Sequence, residues 1–103
     1  MADPMRIRAQ ATGSNAVVRV LMSHEMETGQ RKDGSGKIVP AWFIQNVSFK
    51  HKDKEVFTAQ FGTSISKNPL LSFRFKGAEK GDKITVDWVD NHGDKRHDEG
   101  TVI

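Results

Sequence analysis

A chain of 103 residues has room for one domain, here expected to span 1–103, and one modest core, leaving little space for a deep catalytic cavity. Hydrophobic residues at 36% and charged residues at 28% mark a soluble globular composition, and no apolar run reaches the ~18 residues that a membrane-spanning helix needs. A formal charge of +3 permits weak attraction to acidic partners, but acids alternate with bases over most of the sequence and no basic–aromatic alternation points to nucleic acid.

The chain reads as a succession of short strands. Met5, Ile7, Ala9 and Ala11 alternate with Arg6, Arg8 and Gln10, the period of a strand with one wet face. Thr12-Gly13-Ser14-Asn15 has turn chemistry, and a second strand over 16–22 sets Val18, Val20 and Met22 in phase. A polar excursion from Ser23 to Lys37 follows, longer than the about 12–15 residues beyond which structureless loops become uncommon and are more often functional. This segment, with its flanks from Val17 to Ile44, is where a working surface is expected.

The third strand is expected over 41–49. Its phase slips, with Trp42 and Ile44 on one face and Val47 and Phe49 on the other, which predicts a bulge near Gln45-Asn46 or a crossing between sheets. Lys50-His51-Lys52-Asp53-Lys54 reads as a charged hairpin tip before a fourth strand over 55–61. Gly62–Pro69 is a second polar connection. Leu71, Phe73 and Phe75 mark a fifth strand, Ile84, Val86 and Trp88 a sixth, and Asn91-His92-Gly93-Asp94 turns into a last strand ending at Val102. About seven strands and no helical period predict an all-β fold, an immunoglobulin-like antiparallel β-sandwich. Val18, Val20, Phe73, Ile84, Val86 and Trp88 are the expected core.

Motifs for catalysis are weak. Ser64-Ile65-Ser66-Lys67 fits a bare S-x-x-K pattern but precedes Asn68-Pro69 in a loop, where no helix can bring the lysine one turn from the serine. Gly34-Ser35-Gly36-Lys37 lacks the earlier glycine and the following Ser/Thr of a phosphate loop. Asp90, His92, Asp94, His97, Asp98 and Glu99 form a candidate metal cluster if a hairpin sets Asp90 opposite His97; an oxygen-rich turn is the favoured reading, and no metal or cofactor is expected. His24 has the titration range of a general base but no evident nucleophile, so recognition is favoured over catalysis, with Glu25 or Glu27 as its neighbours. No cysteine is present, hence no disulfide and no thiolate. The start of the chain, Met1 to Arg6, has no apolar core of signal-peptide type. The protein is then expected to be cytoplasmic, or to leave the cytoplasm bound to a chain that carries a signal.

Four stretches, in order, resemble the Z subunits of SoxYZ sulfur carriers, the SoxZ family: Arg19-Val-Leu-Met-Ser-His-Glu-Met-Glu-Thr-Gly-Gln-Arg-Lys-Asp33, Ile38-Val-Pro-Ala-Trp-Phe-Ile44, Ser66-Lys-Asn-Pro69 and Gly81-Asp-Lys-Ile-Thr-Val-Asp-Trp-Val-Asp-Asn-His-Gly93. The block from Arg19 to Asp33 is the most specific, because neither propensity nor amphipathicity demands His-Glu-Met-Glu-Thr-Gly there. The resemblance implies an immunoglobulin-like fold and no catalytic residues. It also implies an obligate SoxY-type partner whose C-terminal cysteine arm carries sulfur intermediates during thiosulfate oxidation, with pathway enzymes docking transiently. Such a pair would reach the periplasm through the partner's signal, with no role for nucleic acid or membrane.

Physical reasoning suggests where the partner sits. The strand over 41–49 has a surplus of apolar residues, so Trp42, Phe43 and Ile44, together with Met22, His24, Glu25, Met26, Glu27, Thr28 and Gly29, are the expected partner-binding set. The alternative is that the phase slip folds them into one core. A stand-alone immunoglobulin-like binding module and a small metal-dependent enzyme using residues 90–99 are the competing functions.

Overall fold

The structure is a computed structural model that describes residues 3–103. Seven strands follow in order: β1 Arg6–Thr12, β2 Asn15–Leu21, β3 Ile44–His51, β4 Lys54–Gln60, β5 Leu70–Lys76, β6 Lys83–Asp90 and β7 Lys95–Thr101. They form two antiparallel sheets, β1-β2-β5 and β4-β3-β6-β7, packed as an immunoglobulin-like sandwich with no helix among the described residues. Strand limits agree with the sequence reading to within one or two residues except at β3, which begins at Ile44 and not near Ala41.

Alternation explains each strand. Ala16, Val18 and Val20 of β2 face inward, and Ile84, Val86 and Trp88 of β6 meet them from the other sheet, all buried. The phase slip in β3 is a bulge. Its register against β6 shifts between Ile44 and Asn46, so that Ile44, Val47 and Phe49 all turn inward. The β3–β4 hairpin closes on Lys52 and Asp53, both with positive φ (54° and 61°), the geometry that a two-residue turn requires to match strand twist.

One side of the sandwich is sealed and the other is open. On the β1–β7 side the end of the chain runs parallel to β1, with the Ala11 amide donating to the Ile103 carbonyl (2.9 Å) and the Ile103 amide to the Ala9 carbonyl (3.0 Å). The Met5 amide donates to Asp98 Oδ2 at 2.9 Å on the same side. Ile7 presses so close to Gly100 that a Cβ there would lie 2.5 Å from Ile7 Cγ2.

On the opposite side β4 and β5 each end their sheet unpaired. There Phe57 and Phe73 stack with centroids 4.7 Å apart, and Phe49 meets Phe73 edge-on at 4.6 Å. Phe73, expected in the core, is therefore only half-buried, because it lies at the mouth between two edge strands.

Candidate functional site

The segment between β2 and β3 forms an irregular two-stranded arm. Glu27 and Trp42 exchange backbone hydrogen bonds, with Glu27 N to Trp42 O at 2.6 Å and Trp42 N to Glu27 O at 3.0 Å. Further out the Val39 amide donates to Arg31 O and the Asp33 amide to Lys37 O. At the tip Asp33 Oδ1 accepts from Ser35 N, Ser35 Oγ and Lys37 N, bonds that hold its carboxyl below the usual range. The Gly34–Lys37 run is thus a turn wrapped around an aspartate.

The arm's root is anchored by a buried polar knot. Alternation after β2 turns Met22, His24 and Met26 inward and leaves Glu25 outside. Asp90, in phase with Ile84, Val86 and Trp88 on β6, projects into the same interior. Its Oδ2 accepts from His24 Nε2 (3.0 Å) and Trp42 Nε1 (2.8 Å), and its Oδ1 from the amides of His92 and Asp94 (2.9 Å each). Burial works against the Asp90 charge. The bonds from His24, Trp42 and the two amides outweigh it and keep the carboxyl below its ordinary range. His24 accepts the Met26 amide at Nδ1 (3.0 Å), which leaves the proton on Nε2 facing Asp90.

Aromatic rings frame the knot. His24 meets Trp42 at 5.0 Å and Trp88 at 5.3 Å, and His92 stacks on Trp42 at 5.3 Å and 8°. The Met26 sulfur lies 3.3 Å from the Ile44 amide, tying the arm to the first residue of β3. Trp88 Nε1 is buried without a partner among the described residues.

The ten expected partner-binding residues divide. Met22, His24, Met26 and Ile44 are buried and hold the arm to the sandwich, out of reach of another chain while this fold persists. Glu25 and Thr28 are exposed, and Glu27, Gly29, Trp42 and Phe43 half-exposed, so these form the outside of the arm's root. His24 does not pair with Glu25 or Glu27, as the sequence suggested. Glu25 reaches Lys67 (3.2 Å), and Glu27 binds Arg31 bidentately, an exchange that lowers the glutamate pKa and raises that of the arginine.

The knot offers no general base, because both His24 nitrogens are occupied and buried. Nor does the 90–99 cluster assemble. Asp90 faces inward, while His97 lies opposite Asp87 on β6 and bonds to it at 2.6 Å. Asp98 holds Arg96 and the Met5 amide. Among the described residues no three His, Cys, Asp or Glu side chains are grouped to hold a metal ion. Ser64 and Lys67 sit in the β4–β5 connection, with no helix to align them.

Sequence reasoning missed two features. One is Asp90 as the acceptor at the centre of the knot, though the period of β6 lands on it. The other is the open side. From Phe57 and Phe73 the half-buried apolar residues continue through Phe61, Ile65 and Leu71. A groove of about 610 Å³ then runs between Thr63–Lys67 and the outside of the arm at Glu25–Thr28 and Arg31.

The profile of the family described as "Sulphur oxidation protein SoxZ" matches residues 5–101. Comparison with curated protein sequences finds no match. Among solved structures, a hypothetical protein from Pyrococcus horikoshii OT3 aligns with TM-score 0.67 at 16% identity, covering 99% of this chain and 89% of that one. A superoxide reductase in the oxidized state aligns with TM-score 0.65 at 15% identity over 99% and 89%. The superoxide reductase (neelaredoxin) of Ignicoccus hospitalis aligns with TM-score 0.59 at 12% identity over 99% and 82%. At such identities these likenesses establish the fold alone.

Proposed function

The chain belongs to the SoxZ family of sulphur oxidation proteins, and from that premise we propose that it is the non-catalytic scaffold and docking subunit of a SoxYZ-type sulfur carrier. Its partner is a SoxY-type subunit whose C-terminal cysteine arm bears the covalent sulfur intermediates of thiosulfate oxidation. Enzymes of the pathway dock on the assembled pair, which is exported to the periplasm through the partner's signal.

The observation that carries this proposal is the asymmetric closure of the sandwich. A free-standing sandwich gains by protecting its edges, and here one side is sealed by the chain's own end while the other leaves two edge strands and stacked phenylalanines half-covered. Half-covered aromatics beside unpaired strand edges suit a permanent interface, whose core is apolar and rich in aromatic residues. The SoxY-type subunit accordingly covers β4, β5 and their connection, and meets the outside of the arm's root at Glu25, Glu27, Thr28, Gly29, Trp42 and Phe43. Met22, His24, Met26 and Ile44 contribute indirectly by fixing that root.

Chemistry assigns the sulfur to the partner. These 103 residues contain no cysteine, so the chain has no thiolate to attack or hold sulfur. The test is intact mass measurement of both chains after the assembled pair is incubated with thiosulfate and the pathway enzymes. Adducts are expected on the partner alone. A sulfur adduct on this chain would overturn the assignment.

A further inference from the structure

The outer face of the three-stranded sheet carries charge of one sign. The pairing registers set its outward residues in four cross-strand rows: Arg6–Leu21–Leu70, Arg8–Arg19–Ser72, Gln10–Val17–Arg74 and Thr12–Asn15–Lys76. Arg6, Arg8, Arg19, Arg74 and Lys76 are all exposed, and none forms an ion pair or side-chain hydrogen bond with a described residue. No Asp or Glu occurs anywhere in β1, β2 or β5. The acid–base alternation of the sequence as a whole is thus broken here. With five positive charges on one face, a chain of net +3 leaves a net −2 for everything else.

Folding does not call for this arrangement. Like charges directly opposite on neighbouring strands are destabilising, yet Arg8 faces Arg19 across β1 and β2. The outer face of the four-stranded sheet mixes signs, with Asp87 bonded to His97 and Lys83, Lys95, Glu55 and Glu99 interspersed. An exposed strand surface is satisfied by threonine or serine. Four arginines and a lysine kept in mutual repulsion indicate a counter-charge from outside the chain.

We infer that this face is a docking surface for the carboxylate-rich face of another protein, distinct from the open β4–β5 side and independent of what covers that side. Guanidinium groups match carboxylates bidentately and are enriched in protein interfaces. Leu21 and Leu70, 39% and 64% exposed, stand in one row with Arg6 and give the patch the apolar component that such an interface buries. The charges spread along 7-residue strands, about 20 Å of flat sheet, an area suited to a protein surface. No side chain is buried there to form the closed pocket that a small oxyanion would need. The leucines and the negative remainder of the chain argue against a duplex or an anionic bilayer, both of which reward basic charge on all approaching surfaces.

The experiment is an amide-resonance titration of the full chain with a strand-forming peptide of alternating glutamate and leucine. Parallel titrations use a DNA duplex of equal charge, vesicles containing phosphatidylglycerol, and sodium sulfate. Peptide binding should shift resonances of β1, β2 and β5 and weaken with salt. It should weaken about tenfold or more in R8E/R19E, the scale on which reversed charge opposes association. The neutral R8Q/R19Q/R74Q chain, whose melting curve checks the fold, should lose the same footprint. A peptide footprint elsewhere, or one unaltered in both variants, overturns the proposal. So does tighter binding of duplex or vesicles, or an equal saturable footprint from sulfate alone.

Discussion

Asp90 decides whether the arm is held. Its carboxylate is the common acceptor for two side chains and two amides, and a buried donor that loses its acceptor costs about 1–3 kcal/mol. Asp90→Ala is therefore expected to cost about 3 kcal/mol or more in denaturant unfolding. A loss below about 1 kcal/mol would mean that water reaches the knot. Because folding depresses the Asp90 pKa, its contribution is fully present above the unfolded value near ~3.9 and is lost as pH falls through the lower folded value. His97 carries the opposite sign. The hydrogen bond to Asp87 raises its pKa, with burial opposing and Glu99 assisting, so its contribution is present below the unfolded value near ~6.5 and fades as pH rises through the folded one. In Asp87→Asn the His97 titration midpoint should fall toward ~6.5, read by proton resonance; an unchanged midpoint would deny the bond. Trp88, 3% exposed, supplies the plainest core test: Trp88→Ala is expected to cost about 3–5 kcal/mol.

The arm and the edge strands are where sequence and structure diverged in an instructive way. Period-2 patterning made all seven strands legible, and even the slip in β3 pointed to the bulge that turns Ile44 and Val47 to one side. Local pattern says nothing about which neighbour a strand lacks, and so Phe73, apolar and in phase, read as core although it lies at an open mouth. Likewise His24 was legible as an unusual residue, but its partner is 66 positions away on β6, beyond any local pairing rule. The arm's outside is expected to tolerate change. Charge reversal at Glu25 should leave the melting transition nearly in place, since it is an exposed group, yet weaken assembly with the SoxY-type chain. Full affinity in that variant would remove the arm's root from the interface. Phe57→Ser with Phe73→Ser, by contrast, should impair assembly more than it impairs folding, and folding loss alone would return the pair to the core.

At the scale of the molecule, three surfaces differ in kind. The β1–β7 side is closed by the chain's own final residues, the β4–β5 side is open and aromatic, and the outer face of β1-β2-β5 is cationic. The most direct measurement is hydrogen exchange of this chain, free and assembled with the proposed SoxY-type partner, resolved by peptide. Slowed exchange is expected in β4, β5, the 61–69 connection and residues 25–29, with the β1–β7 side unchanged. Protection confined to β1, β7 and residues 102–103, with β4 and β5 exchanging as in the free chain, would contradict it.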